Sequence, residues 1–165
     1  FWYEPGADRI IHADARRTLA VEATTYDVIV GDAFSDIAVP QHLITREFFQ
    51  TVRARLNPGG VYLMNVIDHM DRLEVLASMV ATARAVWPSV EVWTERQHDP
   101  AENRRVFVLV AGDAPTAQPQ LATPWGNAIR VAASSVDDIL ATRPHVVFTD
   151  DYAPIDRLLG DRGEG

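Results

Sequence analysis

The stretch Tyr26-Asp27-Val28-Ile29-Val30-Gly31-Asp32 decides the fold. Three consecutive β-branched residues, closed by Gly-Asp, form a short apolar run of the kind expected in a strand buried on both faces. Moving outward, residues 45–56 have helical spacing, with Phe48, Phe49, Val52 and Leu56 on one side. Asn57-Pro58-Gly59-Gly60 then stops the helix with turn chemistry. Residues 61–66 are predicted as a second buried strand. Residues 71–87 are predicted as a long amphipathic helix carrying Leu73, Leu76, Met79, Val80, Ala83 and Trp87, closed by Pro88. Residues 90–94 and 106–110 read as two further strands, and residues 9–14 as a short strand ahead of the deciding one.

Alternating strands and helices predict an α/β fold, a mostly parallel sheet covered by helices. The last two strands have no helix between them, which predicts a terminal antiparallel hairpin. After residue 112 the composition shifts to Ala, Pro, Gln and Thr. Residues 113–165 are therefore expected to form a linker and a short helical extension to a main domain over residues 1–112. That extension is expected to start a helix at Ser135, with Asp138 completing a capping box, and to end it before Pro144.

The 165 residues are 47% hydrophobic and 23% charged, enough for one domain with a core. No run is long and apolar enough to span a membrane, so a cytoplasmic chain is expected. Cysteine is absent, which removes disulfides, thiol catalysis and thiolate-ligated metals. All 15 basic residues are arginine, which removes Schiff-base and P-loop-lysine chemistry. A net charge of −8 with scattered arginines argues against nucleic acid as a partner. Histidines 12, 42, 69, 98 and 145 show no metal-ligand spacing, so no metal is expected. Ser35 lacks the Gly-x-Ser-x-Gly elbow of a hydrolase. The tryptophans at 2, 87, 93 and 125 read as core or interface residues.

Acids gather where such a sheet binds ligands, past the carboxyl ends of its strands. They are Asp14, then Asp32 with Asp36, then Asn65 with Asp68. Any one of them could instead cap the helix or turn that follows. Three at successive strand ends point towards a site.

Residues 26–36, with Pro40, His42-Leu43-Ile44-Thr45-Arg46-Glu47-Phe48-Phe49 and Leu56-Asn57-Pro58-Gly59-Gly60-Val61, resemble the spermidine synthase (polyamine aminopropyltransferase) family. His12-Ala13-Asp14-Ala15-Arg16 resembles that family's Gly-Asp-Ala-Arg segment. Thr149-Asp150-Asp151-Tyr152-Ala153-Pro154 resembles a tail common in its bacterial spermidine-synthase-like branch. The resemblance implies a Rossmann-like, class I methyltransferase-type sheet and aminopropyl transfer from decarboxylated S-adenosylmethionine to a small-molecule amine, in polyamine biosynthesis. The donor would be a co-substrate, with no tightly bound cofactor. Position by position, Asp32 matches the base that takes the amine's proton, and Asp36 the acid that holds the amine. Asp14, Ala15, Asp32, Pro40 and Leu43 match donor-binding positions, with Asp14 at the adenine amino group and Pro40 and Leu43 forming a wall against the ring. The tail either folds back over the site or forms a solvated turn before a short helix at Ile155.

The family's glycine-rich first turn, and the acid that holds the donor ribose, have no counterpart in this sequence. The resemblance thus implies a sheet incomplete on its amino-terminal side, with residues 9–14 as a third strand lacking its neighbour and residues 26–32 as a fourth strand with an open edge. An open edge invites pairing with another chain, so two outcomes are expected: an amino-terminal segment outside this sequence completes the sheet, the favoured one, or a partner covers the edge, as in a homodimer. The segment 95–105 lacks the family's usual acceptor motif, which leaves the amine unnamed. Two other readings remain: a methyltransferase using S-adenosylmethionine itself, and a non-catalytic domain that dimerises through the open edge.

Overall fold

The computed structural model describes residues 10–33, 40–97, 99, 101–124 and 126–160. They form, in chain order, α1 (Ala15–Val21), β1 (Tyr26–Gly31), a short 3-10 turn (Gln41–Leu43), α2 (Arg46–Ala54), β2 (Leu56–His69), α3 (Glu74–Arg84), β3 (Ser89–Glu95), β4 (Arg104–Gly112), β5 (Gln120–Thr123), β6 (Gly126–Arg130), α4 (Ala133–Thr142) and α5 (Ile155–Leu159). The strands lie in one sheet in the order β1-β2-β4-β3-β6-β5. β1 pairs β2 in parallel, whereas β4 returns antiparallel between β2 and β3. The terminal hairpin is therefore as expected, and β1, β2 and β3 share one direction.

The expectation of a mostly parallel sheet needs correction. Among the described residues only β1 and β2 pair in parallel, because the return of β4 makes both of its ladders antiparallel and β5 and β6 add two more. Residues 10–14 form no strand: nothing among the described residues lies beside them to complete a ladder. α1, which the sequence reading omitted, begins immediately after them.

One face of the sheet carries the core. β2 alternates, turning Tyr62, Met64 and Val66 inward against Phe48, Phe49 and Val52 of α2 and Leu76, Met79 and Val80 of α3. Phe49, Tyr62 and Trp87 meet as an aromatic cluster, Tyr62 and Trp87 stacking at 5.6 Å. Trp87 and Trp93 are buried, as expected; Trp2 and Trp125 lie outside the described residues. The opposite face is more open. Val28 and Val30 stand beside Val61 and Leu63 and are 52% and 64% exposed, so β1 is not buried on both faces as the apolar run suggested. Among the described residues β1 is also the sheet's outer strand, paired on one side only.

Two glycines fit backbone requirements. Gly59 has φ +80° within the bulge where Asp27 alone stands opposite residues 57–60. At Gly31 a β-carbon would overlap the Tyr62 hydroxyl.

Residues beyond 112 do not hang from the domain as a linker. β6 pairs with the end of β3, and Val136, Phe148 and Ile155 are buried in the same core. The helix expected at Ser135 starts two residues earlier, after Ala132, with no side-chain cap, so no capping box forms. It ends at Thr142, before Pro144, as expected.

Candidate functional site

Parallel pairing builds the first half of the site. The register sets Gly31 beside Met64, so Asp32 and Asn65, one residue further along each strand, meet at the carboxyl edge of the sheet. The Asn65 amide Nδ2 donates to Asp32 Oδ1 at 3.3 Å, and Asp32 is exposed to solvent. Asn65 Oδ1 is buried and has no hydrogen-bond partner among the described residues. That leaves an unused acceptor on the residue that touches the candidate base. Asp36, expected to hold the amine, lies outside the described residues, as does Ser35.

Asp68, at the far end of β2, has a structural task. Its residue is 1% exposed, and its carboxylate accepts the N–H groups of His69 at 2.7 Å and Leu76 at 2.8 Å. α3 begins after Leu73, which sits at φ 56° and offers no polar side chain, so the strand-end acid satisfies the helix's first donors from outside. Burial pushes the Asp68 carboxyl up, and the backbone N–H groups of Leu76, His69 and Val75 oppose that push.

The second half of the site is built on α1. Asp14 is its N-cap, accepting the Arg17 N–H at 2.8 Å through Oδ1. Its other oxygen lies 2.8 Å from His42 Nε2, on the 3-10 turn. The Arg17 N–H, followed by the His42 hydrogen bond, holds the Asp14 carboxyl below the ordinary carboxylate range. Ala15 is the exposed first residue of α1, and Pro40 and Leu43 are half-buried at either end of the 3-10 turn. Four of the five expected donor positions, 14, 15, 40 and 43, thus fall on two neighbouring elements, joined through Asp14 and His42; the fifth, Asp32, lies just past the end of β1.

The tail folds back onto these elements. Arg16 grips Asp150 with both terminal guanidinium nitrogens, Nη1 to Oδ1 at 2.7 Å and Nη2 to Oδ2 at 2.6 Å. Thr45, the buried N-cap of α2, donates its hydroxyl to Asp150 Oδ1 at 2.7 Å and accepts the Phe48 N–H. The Asp150 N–H donates to Glu47, and the Arg46 N–H to the Phe148 carbonyl. Arg16, with Thr45 assisting, lowers the Asp150 carboxyl to about 2. The short helix at Ile155 is present as well, so both sequence readings of the tail describe part of it.

Sequence reasoning gave no task to His42, Arg16 or Thr45. All three stand inside the motifs that carried the resemblance, and that was the available signal. No helix of the described residues is long and apolar enough to cross a membrane.

No family model matches the chain. Over 66 residues it is 41% identical to a probable polyamine aminopropyl transferase of Bifidobacterium longum (strain NCC 2705), covering 40% of this chain and 15% of that protein. Over 72 residues it is 33% identical to a polyamine aminopropyltransferase of Vibrio vulnificus (strain CMCP6), covering 41% of this chain and 24% of that one. The chain thus matches less than a quarter of the length of either relative. In fold it is similar to a probable spermidine synthase from Corynebacterium glutamicum ATCC 13032, with TM-score 0.64 and 24% identity over 86% of this chain and 55% of the other. It is also similar to human methyltransferase-like protein 13 in complex with SAH, with TM-score 0.52 and 24% identity over 95% and 69% of the two chains. The fold is of the spermidine synthase and class I methyltransferase type. The likeness to polyamine aminopropyltransferases expected from the motifs holds for part of the chain.

Proposed function

We propose that this protein, similar over part of its length to polyamine aminopropyltransferases, carries part of a site for aminopropyl transfer from decarboxylated S-adenosylmethionine to an amine. The observation that supports this reading most is the 41% identity with a probable polyamine aminopropyl transferase. The chemistry asked of the residues is coherent. A primary amine is cationic at neutral pH and must lose a proton before it can attack. Asp32, exposed at the carboxyl edge of the sheet, attracts the cation and takes the proton as the nitrogen attacks the aminopropyl carbon next to sulfur. The carbon–nitrogen bond forms as the carbon–sulfur bond breaks, and methylthioadenosine leaves with the sulfur electron pair. Asn65 orients Asp32 through its amide, and its unpartnered Oδ1 is an acceptor of the kind that an ammonium N–H satisfies. Asp36 is the second acid for the amine.

On the donor side, Asp14 Oδ1 takes the Arg17 N–H and Oδ2 lies against His42 Nε2, and a carboxylate oxygen has capacity for more than one such bond. The adenine amino group takes that remaining capacity, with Ala15 beside it and Pro40 and Leu43 against the ring. The donor is a co-substrate that comes and goes, and the reaction is cytoplasmic. The test is product formation. Incubation with decarboxylated S-adenosylmethionine and a panel of primary diamines is expected to release methylthioadenosine, detected by mass spectrometry. Asp32→Asn is expected to slow release by about 10²–10⁴-fold. Equal turnover by the variant would refute the assignment, and methylated product without aminopropyl transfer would establish the methyltransferase reading.

A second reading rests on β1, whose outer edge is unpaired among the described residues and whose Val28 and Val30 are exposed. It is a non-catalytic domain that forms a homodimer through that edge. Light scattering separates the two readings when combined with donor titration: this one requires a dimer that ignores adenosine ligands.

A further inference from the structure

The Arg16 guanidinium joins three pieces of chain far apart in sequence. It leaves α1, donates to the His42 carbonyl of the 3-10 turn at 3.1 Å, and holds Asp150 of the tail in a two-pronged ion pair. These are the same α1 and the same turn whose side chains, Asp14 and His42, meet at 2.8 Å. Asp150 is itself anchored independently of Arg16. Its carboxylate takes the Thr45 hydroxyl, its N–H goes to Glu47, and Phe148 and Ile155, either side of it in sequence, are fully buried. The tail is therefore the fixed post, and Arg16 is the arm that it holds.

We infer that Asp150 is a positioning residue for the donor site: by fixing Arg16 it sets α1 against the 41–43 turn and keeps the Asp14 carboxylate aimed for an adenine amino group. The inference rests on the aminopropyltransferase reading for the identity of the ligand, but not for the mechanics. Without Asp150, the hydrogen bonds left to Arg16 among the described residues are the weaker ones to the His42 carbonyl and the Thr45 hydroxyl, the latter at 3.4 Å. Both are single-pronged hydrogen bonds to neutral acceptors, so α1 and the turn are then held less firmly, by these contacts and the Asp14–His42 pair. Asp14 itself is untouched by the change, so the effect on binding would travel through geometry alone.

The experiment uses the full chain with Asp150→Asn, Arg16→Gln and the double variant. Hydrogen exchange by mass spectrometry reads the α1 amides in the unliganded protein. Calorimetry reads binding of methylthioadenosine, the adenosine product of the proposed reaction. Each single variant is expected to speed exchange in residues 15–21 by about tenfold while β2 and β4 stay protected, and to weaken methylthioadenosine by about tenfold. The double variant is expected to match either single variant, because the two side chains act as one unit. Uniformly faster exchange across the whole chain would reduce Asp150 to a general stabiliser and overturn the inference. So would undiminished methylthioadenosine affinity in Asp150→Asn. If the unchanged protein ignores methylthioadenosine, the aminopropyltransferase reading falls. The exchange pattern in residues 15–21 still decides whether the tail positions α1.

Discussion

Replacing Asp68 separates a structural acid from a chemical one. Its carboxylate accepts the His69 and Leu76 N–H groups at 2.7 and 2.8 Å in a buried setting. Hydrogen bonds to a charged acceptor are each worth about 1.5–3 kcal/mol, so two contribute about 3–6 kcal/mol gross. Part of that is offset, because the alanine variant no longer buries a charge, which leaves a net loss of about 2–4 kcal/mol for Asp68→Ala. Leu73, in the N-cap position, offers no polar side chain as a substitute. With a urea slope of about 2 kcal/mol/M, the unfolding midpoint should fall by about 1–2 M at unchanged slope. Asp68→Asn keeps an acceptor for the Leu76 N–H and should lose about half as much. The pH dependence has a definite sign. Burial raises this carboxyl in the fold, so Asp68 contributes most stability below the ordinary carboxylate value of 3.8. That contribution is lost as pH rises through the raised folded value. Asp68→Asn should flatten this decline and leave donor binding unchanged. A cost for Asp68→Ala within about 0.5 kcal/mol of zero would refute the capping argument.

Other expectations follow from the same geometry. Gly31→Ala should destabilise by about 1–3 kcal/mol through its clash with the Tyr62 hydroxyl, and adding Tyr62→Phe should recover most of the loss in thermal unfolding. Phe148→Ala, at a fully buried site, should cost about 3–5 kcal/mol by chemical denaturation; a cost under about 1 kcal/mol would mean that the tail is not part of the core. The carboxyl of Asp150 is lowered, so its contribution is present above the ordinary carboxylate value of 3.8 and lost as pH falls towards about 2. Acid unfolding followed by circular dichroism should therefore start at higher pH in the protein itself than in Asp150→Asn, when each is measured relative to its own neutral-pH stability. In the homodimer reading, Val30→Lys, on the open face of β1, should leave the fold intact and shift the light-scattering mass from dimer to monomer.

Much of the fold could be read from residues whose local and global preferences agree. Phe48, Phe49 and Val52 mark the inner side of α2, and the alternation through Tyr62, Met64 and Val66 marks β2; both pack as their spacing requires. The misreadings share a physical origin in tertiary context. Ile10 and Ile11 have strand-forming side chains but no ladder partner among the described residues, and they stay 51% and 45% exposed. Gln120–Thr123 looks like linker by composition, yet it is held in the sheet through β6, a partner that local pattern does not reveal. At the site, the meeting of Asp32 with Asn65 follows from strand register, which acids at strand ends hinted at. Asp14 realises both of its readings, as helix cap and as a side chain shared with the neighbouring turn. The pairing of Arg16 with Asp150 spans 134 positions, and only the folded tail brings the two together.

The most direct test of the account is a calorimetric titration of the protein with decarboxylated S-adenosylmethionine, with S-adenosylmethionine run alongside. The account predicts tighter binding of the decarboxylated donor by about tenfold or more, lost when Asp14 is replaced by alanine. Tighter binding of the carboxylated donor, or binding that ignores Asp14, would contradict it.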